Sequence, residues 1–262
     1  MDYQEYRRQG LNLNWVLDSE DLLKALAAAL PPASQDTKAL VEALCPHGAK
    51  RRDLAFGLSL VHGKHGAGYL GADLRIADCE GKAAMVRIDL QGDKIRDLVL
   101  EKWPHDLDRQ RLRYEWRDPD LCEAYASSLA KSLGSSTPTG TDPAQADAYG
   151  LLMDPLLEHE YGTACFISMT PPEARIAIEA LIAGDQYEIL RGVLRSPNPE
   201  ARVYAVEALK RWERQGRGIQ AADQQAIDFL ASQTTPISVC EGCFVYPEPQ
   251  DVLLARFEEA AS

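Results

Sequence analysis

Cys240-Glu241-Gly242-Cys243 is the sharpest chemical motif in the chain. Two thiols at this spacing can supply half of a zinc site or a redox dithiol. A thioredoxin-type dithiol needs a strand before the first cysteine and a helix opening at it. Ile237-Ser238-Val239 suits the strand, but Phe244-Val245-Tyr246-Pro247 leaves no room for the helix. A structural zinc needs two more ligands, and Cys165 and His159 in the same half do not come at a paired spacing. The flanks favour two thiols packed in a turn between helices, with no cofactor; zinc held by Cys240 and Cys243 is the rival.

Three other constellations have chemical potential. Gly66-Ala67-Gly68-Tyr69-Leu70-Gly71 spells G-x-G-x-x-G. Dinucleotide binding requires that a helix follow, so that its N-terminus receives the pyrophosphate. The residues that follow, Ala72-Asp73-Leu74-Arg75-Ile76, read as a strand, so the glycines are expected to form a turn leading into a sheet. A kinase glycine loop would need a lysine strand, an H-R-D loop and a D-F-G downstream, and none is present. His62 and His65 stand three residues apart, but Gly63 and the glycines after them favour a solvated loop. Asp106, Asp108, Glu115, Asp118 and Asp120 alternate with Arg109, Arg111, Arg113 and Arg117, which reads as an exposed face laced with ion pairs. An enzyme built from these pieces would combine His62, His65, Asp106 and Asp108 at a domain junction. No G-x-S-x-G, H-E-x-x-H or P-loop occurs, which weighs against the common hydrolases and NTPases.

The elements that must carry these residues fall into two halves with different periods. Asp18-Ser19-Glu20-Asp21 is expected to open a helix running to Leu30, stopped by Pro31-Pro32, and Thr37–Leu44 a second. The period then drops to two. Ala72–Asp78, Ala84–Leu90, Ile95–Trp103 and Arg111–Trp116 read as strands, with Cys79-Glu80-Gly81-Lys82 and Gln91-Gly92-Asp93-Lys94 as tight turns between them. Val86, Ile88 and Leu90 alternate with Arg87 and Asp89, which suits an antiparallel meander with one wet face. Asp118-Pro119-Asp120 caps a helix from Leu121 to Leu133. Residues 135–147, rich in Ser, Thr, Pro and Asp, read as a linker between a domain at 1–134 and one at 148–262. Beyond the linker the period is 3.6 nearly throughout: helices follow Pro171-Pro172, Gly184-Asp185, Pro197-Asn198-Pro199, Gly218 and Pro247-Glu248-Pro249. The expected fold is α+β: an N-terminal antiparallel meander with flanking helices, then an all-α domain.

Within that second half, Pro172-Glu173-Ala174-Arg175-Ile176 is echoed by Pro199-Glu200-Ala201-Arg202-Val203, each followed by Glu-Ala-Leu. The stretch from Leu190 to Leu209, with its Ser196-Pro197-Asn198-Pro199 turn and Arg202, Ala205 and Ala208-Leu209 on the second helix, resembles one HEAT repeat. The resemblance covers roughly residues 187–214 and implies a short helical scaffold of the kind that binds proteins; it names no catalytic residue.

Charge sharpens that expectation. The chain has 262 residues, with 28 Lys and Arg against 40 Asp and Glu, a net charge of −12. Residues 1–140 hold 19 basic and 21 acidic residues, and residues 141–262 hold 9 and 19, so the second half alone carries −10. Such a balance argues against a nucleic-acid surface. No apolar run is long enough to span a bilayer. Six cysteines, four of them scattered, and no visible secretory signal point to a reducing cytoplasm. The expected function is non-enzymatic: a protein-binding module, in its specific form an inhibitor or immunity protein that neutralises a basic toxin or effector. Glu173, Glu179, Glu200, Glu207 and Glu213, on the polar sides of the two similar helices, are the expected contacts.

Overall fold

The computed structural model describes residues 3–30, 36–135 and 143–259. It divides into two compact units, one made of Met1–Arg52 and Leu58–Glu123, the other of Asp53–Gly57 and Ala124–Ser262.

The first unit is a sheet covered by helices. Its elements are α1 (Tyr3–Arg8), α2 (Leu13–Ala28), α3 (Thr37–Leu44), the earlier part of β1 (Ala49–Ala55), β2 (Leu58–Ala67), β3 (Leu70–Cys79), β4 (Lys82–Gln91), α4 (Arg96–Lys102) and β5 (Arg113–Arg117). The strands lie side by side in chain order, and each pair from β2 to β5 is antiparallel. One face carries Leu74, Ile76, Val86 and Ile88, which pack with Val16, Leu23 and Leu26 from α2 and Leu40 and Leu44 from α3. The alternation in β4 is as expected for Val86, Ile88 and Leu90, but the other face is less wet than foreseen. Arg87 is buried and donates Nε–H to Glu115 at 2.6 Å, and Arg113 forks onto Asp89 across the β4–β5 pair.

Several expected elements are corrected here. Ile95–Trp103 is not a strand: a 3-10 turn at Asp93–Ile95 leads into α4, whose Leu98 and Val99 turn inward at helical spacing. An apolar run this short satisfies either period, and packing decides. α2 begins five residues before Asp18, capped by the Asn12 side chain, which accepts from the Asn14 N–H. β1 and β2 were not foreseen, and His62 and His65 lie on a strand rather than in a loop. Lys50-Arg51-Arg52-Asp53 has no apolar alternation, and Gly63 and Gly66 read as breakers. Gly63 is in fact required by the strand's neighbours, since a Cβ there would meet Cys45 Sγ at 2.5 Å.

The second unit is mainly helical: the later part of α5 (Pro119–Leu133), then α6 (Pro143–Met153), α7 (Glu173–Ala183), α8 (Tyr187–Val193), α9 (Pro199–Arg214), α10 (Ala221–Leu230) and α11 (Gln250–Glu259). It is not all-helical, because β6 (Pro236–Glu241) and β7 (Phe244–Pro249) form an antiparallel hairpin between α10 and α11. Part of the expected linker is also helix: Pro143–Asp147 is the first part of α6, while residues 136–142 lie outside the described residues. Among the described residues no helix is long and apolar enough to cross a membrane.

α9 is the centre of this unit, packed against α7, α8, α11 and β6. Its Ala201 and Ala205 are fully buried and Ala208 nearly so, the small side chains that let helices approach closely. The turn before it is held as tightly. Asn198 caps α9 by accepting from the Glu200 and Ala201 N–H groups, and its own amide donates to the Leu157 carbonyl. Ser196 donates to the Leu152 carbonyl at 2.6 Å. Arg202, 1% exposed, donates to the carbonyls of Ser196, Pro197 and Leu54 and lies over the Phe56 ring. A buried guanidinium is tolerated when carbonyls receive its donors.

Candidate functional site

The five glutamates do not form one acidic face. Glu200 is fully buried, and its Oε1 accepts the Ser238 N–H at 2.8 Å, tying the start of α9 to β6. The expectation that it lies at the surface fails because α9 is buried almost all round at its N-terminal end. Glu207 accepts a bidentate pair from Arg175 at 2.9 and 2.8 Å and the Tyr161 hydroxyl at 2.7 Å. Glu179 receives Arg175 and Arg211. Glu213 pairs with Lys210 at 3.3 Å. Glu173 is exposed at the first position of α7. Charge at Glu179 and Glu207 is therefore matched locally by arginine rather than presented outward.

The Arg175–Glu207 pair sits among aromatic rings. Arg175 lies 4.6 Å from the Tyr204 ring centre and 5.6 Å from that of Tyr161. Burial raises the pKa of the Tyr161 phenol, and the neighbouring Glu207 carboxylate raises it further. Tyr204 is pushed up to about 12, again mainly by burial, with the Gly162 N–H and Arg175 opposing. Both phenols stay protonated at neutral pH, so neither can serve as a base. This cluster clamps α7 to α9.

The residues of the rival enzyme reading are not assembled. His62 and His65, three apart on β2, point to opposite faces of the sheet. His62 Nε2 lies 3.2 Å from Asp73, a carboxylate shared with Arg75. His65 Nδ1 lies 3.1 Å from the Leu44 carbonyl. Asp106 and Asp108 line a separate recess with Arg111, Arg113 and Glu115, where no histidine enters and both charge signs alternate. All four residues belong to the first unit.

Cys240 and Cys243 are not a pair. β6 and β7 close with Glu241 opposite Phe244, which leaves Gly242-Cys243 as a two-residue turn, Gly242 at φ +57°. Cys240 forms a disulfide with Cys165, 75 residues away, and Cys243 keeps an exposed free thiol. The turn also joins two strands, not two helices. With Cys240 committed to a disulfide, a dithiolate zinc site at Cys240 and Cys243 is not the state described. Among the described residues, no three His, Cys, Asp or Glu side chains converge to hold a metal.

The disulfide joins two loop tips. The chain at Tyr161 runs parallel to β6: its N–H donates to the Ser238 carbonyl and its carbonyl accepts from Cys240 N–H at 2.8 Å. Gly162 permits this approach, because a Cβ there would collide with the Cys240 carbonyl. The chain then turns back between Cys165 and Thr170, with the Cys165 N–H donating to the Thr170 carbonyl and the Phe166 N–H to the Gly242 carbonyl at 2.6 Å. Phe166 and Met169 hold positive φ, +60° and +50°, a strained conformation for bulky side chains. Phe166, Ile167 and Met169 on this tip and Phe244 and Val245 on the hairpin are all exposed, Ile167 by 91% and Phe244 by 75%. A recess of about 230 Å³ opens beside Phe166, lined also by Glu158, Glu160, Glu173, Pro172 and His159. Burial lowers the His159 pKa, against the opposing charge of Glu200 and the bond to the Leu151 carbonyl.

Sequence reasoning did not find this surface. Its signal was Phe166-Ile167 and Phe244-Val245, apolar pairs beside turn residues that continue no helical period. No family model matches the chain, and neither a curated protein nor a solved structure matches it.

Proposed function

We propose that the chain is a non-enzymatic protein-binding module, in its specific form an inhibitor of the immunity type that neutralises a basic toxin or effector. The observation that carries the reading is the group of five large apolar side chains exposed on two cross-linked tips, in the unit whose half of the sequence carries −10. Exposed apolar clusters rimmed by polar groups mark protein interaction sites. The acidic field favours a basic partner by speeding encounter. The cytoplasmic setting is kept with one modification. Cys165–Cys240 is the exception among otherwise reduced thiols, and in a reducing compartment it would open and close with redox conditions.

The test is association kinetics of the full chain with a purified basic partner, measured by stopped flow at low and high salt. The on-rate should fall by about an order of magnitude between roughly 0.1 M and 1 M salt while the off-rate changes little. Reversal of the exposed Glu173 and Glu213 to Lys should slow association in the same way. Glu179 and Glu207 are poor choices, because reversal would break the Arg175 clamp. An on-rate indifferent to salt and to both reversals overturns the reading.

A further inference from the structure

We infer that the two cross-linked tips form a docking surface for a cationic protein segment that carries basic side chains next to large apolar ones. The inference rests on the protein-binding reading above and names the chemistry of the segment and the place where it docks.

Three features specify the occupant. The first is the apolar ground: the Cys165–Cys240 bond and the hydrogen bond from the Phe166 N–H to the Gly242 carbonyl hold the tip with exposed Phe166, Ile167 and Met169 against the hairpin turn, where Phe244 and Val245 are exposed on alternate faces of β7. The second is charge. Glu158, Glu160 and Glu173 line the recess at Phe166, and exposed Glu173 stands at the start of α7 beside it. At about 230 Å³ it falls below the range of about 300–1,000 Å³ typical of small-molecule pockets, and suits a single long side chain. Pro172 and Phe166, among the residues that line it, offer apolar contact for an alkyl stem. The third is rigidity. With Cys165–Cys240 closed, a surface fixed by the disulfide and by main-chain bonds loses little freedom on binding, so more of the contact energy appears as affinity. The three carboxylates beside Phe166 also weigh against an anionic membrane, whose headgroups they would repel.

The experiment uses the full chain, isotopically labelled, titrated with a synthetic peptide in which Arg alternates with Leu and Phe, and with its counterpart carrying Glu in place of Arg. The basic peptide should shift the amide resonances of Phe166–Thr170 and of Gly242–Val245, and the acidic one should not. Phe166→Asn with Phe244→Ser should raise the Kd at least about tenfold, equivalent to about 1.4 kcal/mol. Asn tolerates the positive φ at 166, so the turn is kept. Glu173→Lys should weaken binding comparably, and Val252→Ser, an exposed apolar position on α11, should leave it unchanged. Binding of both peptides alike overturns the charge assignment. Shifts confined to other surfaces, or a basic partner whose affinity ignores the tip variants, overturn the location while protein binding itself stands. Tips that insert into phosphatidylcholine vesicles, with or without phosphatidylserine, and ignore the peptide make this a membrane surface and overturn the inference. Failure of every peptide and of every basic protein to bind removes both this surface and the function proposed above.

Discussion

His159 gives the clearest case of a single side chain that sets a condition on the fold. It is 5% exposed, and Nε2 meets the Leu151 carbonyl at 3.1 Å. Burial favours the neutral ring, so the folded pKa lies below the ordinary value and the unfolded chain takes up the proton first on acidification. Stability from this residue is complete above roughly pH 6.5 and falls below it, at up to about 1.4 kcal/mol per pH unit, until the folded ring itself protonates. Urea midpoints taken near neutrality and about one pH unit below that value should show the loss in the native chain. His159→Gln, which keeps a donor for Leu151, should remove most of it. Equal acid sensitivity in the two proteins would place the titrating group elsewhere. At the same scale, the pair of buried Arg175 with half-buried Glu207 explains why charge in the sequence misled. A glutamate read as a surface contact is, in the folded chain, the half-buried partner in a clamp, and its loss would leave the buried Arg175 guanidinium short of its carboxylate.

Among the elements, α9 was legible and the disulfide-bearing loops were not. Asn198 before Pro199 marked the start of α9, and alanines at helical spacing marked its buried face. Ala205→Arg should therefore be severely destabilising, by overpacking and by burying a charge, and thermal melting followed by circular dichroism should show the helical signal lost far below the native midpoint. An unchanged midpoint would mean that α9 does not hold the unit together. α3 was equally readable, bounded as it is by the Asp36 cap and the end of its apolar stripe. By contrast, the pairing of Cys165 with Cys240 spans 75 residues, and nothing periodic in the sequence reports a contact of that range. The adjacent Cys243 drew attention to the wrong partner. A loop of this length implies about 4 kcal/mol of stabilisation in the chain-entropy view, with measured cases running about 2–5. Cys165→Ser with Cys240→Ser should lower the urea midpoint accordingly and speed hydrogen exchange at the amides of β6. The amides of β3 and β4, in the other unit, serve as the internal reference. Unchanged exchange at β6 would show that the hydrogen bonds alone hold the tip.

For the molecule as a whole, the sequence conveyed the α+β character and the concentration of acid in the second half. It conveyed less about where each half closes. The change of period near residue 140 was visible as composition, whereas Asp53–Gly57 is too short to have a period at all. Within the second unit, Leu54 receives Arg202, and the Phe56 ring stacks at 6.1 Å on Phe229 of α10. These contacts complete a core whose other members lie more than seventy residues later in the chain.

That early excursion of the chain bears on how such a protein could be inherited. A domain encoded by one uninterrupted stretch can be duplicated, moved or fused as a cassette. Here, a gene segment starting after residue 140 would encode the helices without Phe56, and Arg202 would be left with a donor facing the position of a missing carbonyl. A segment ending before it would encode a hairpin whose turn had lost its own unit. Recombination at the region that looks most like a seam would thus yield two damaged products, and the two units are bound to travel together.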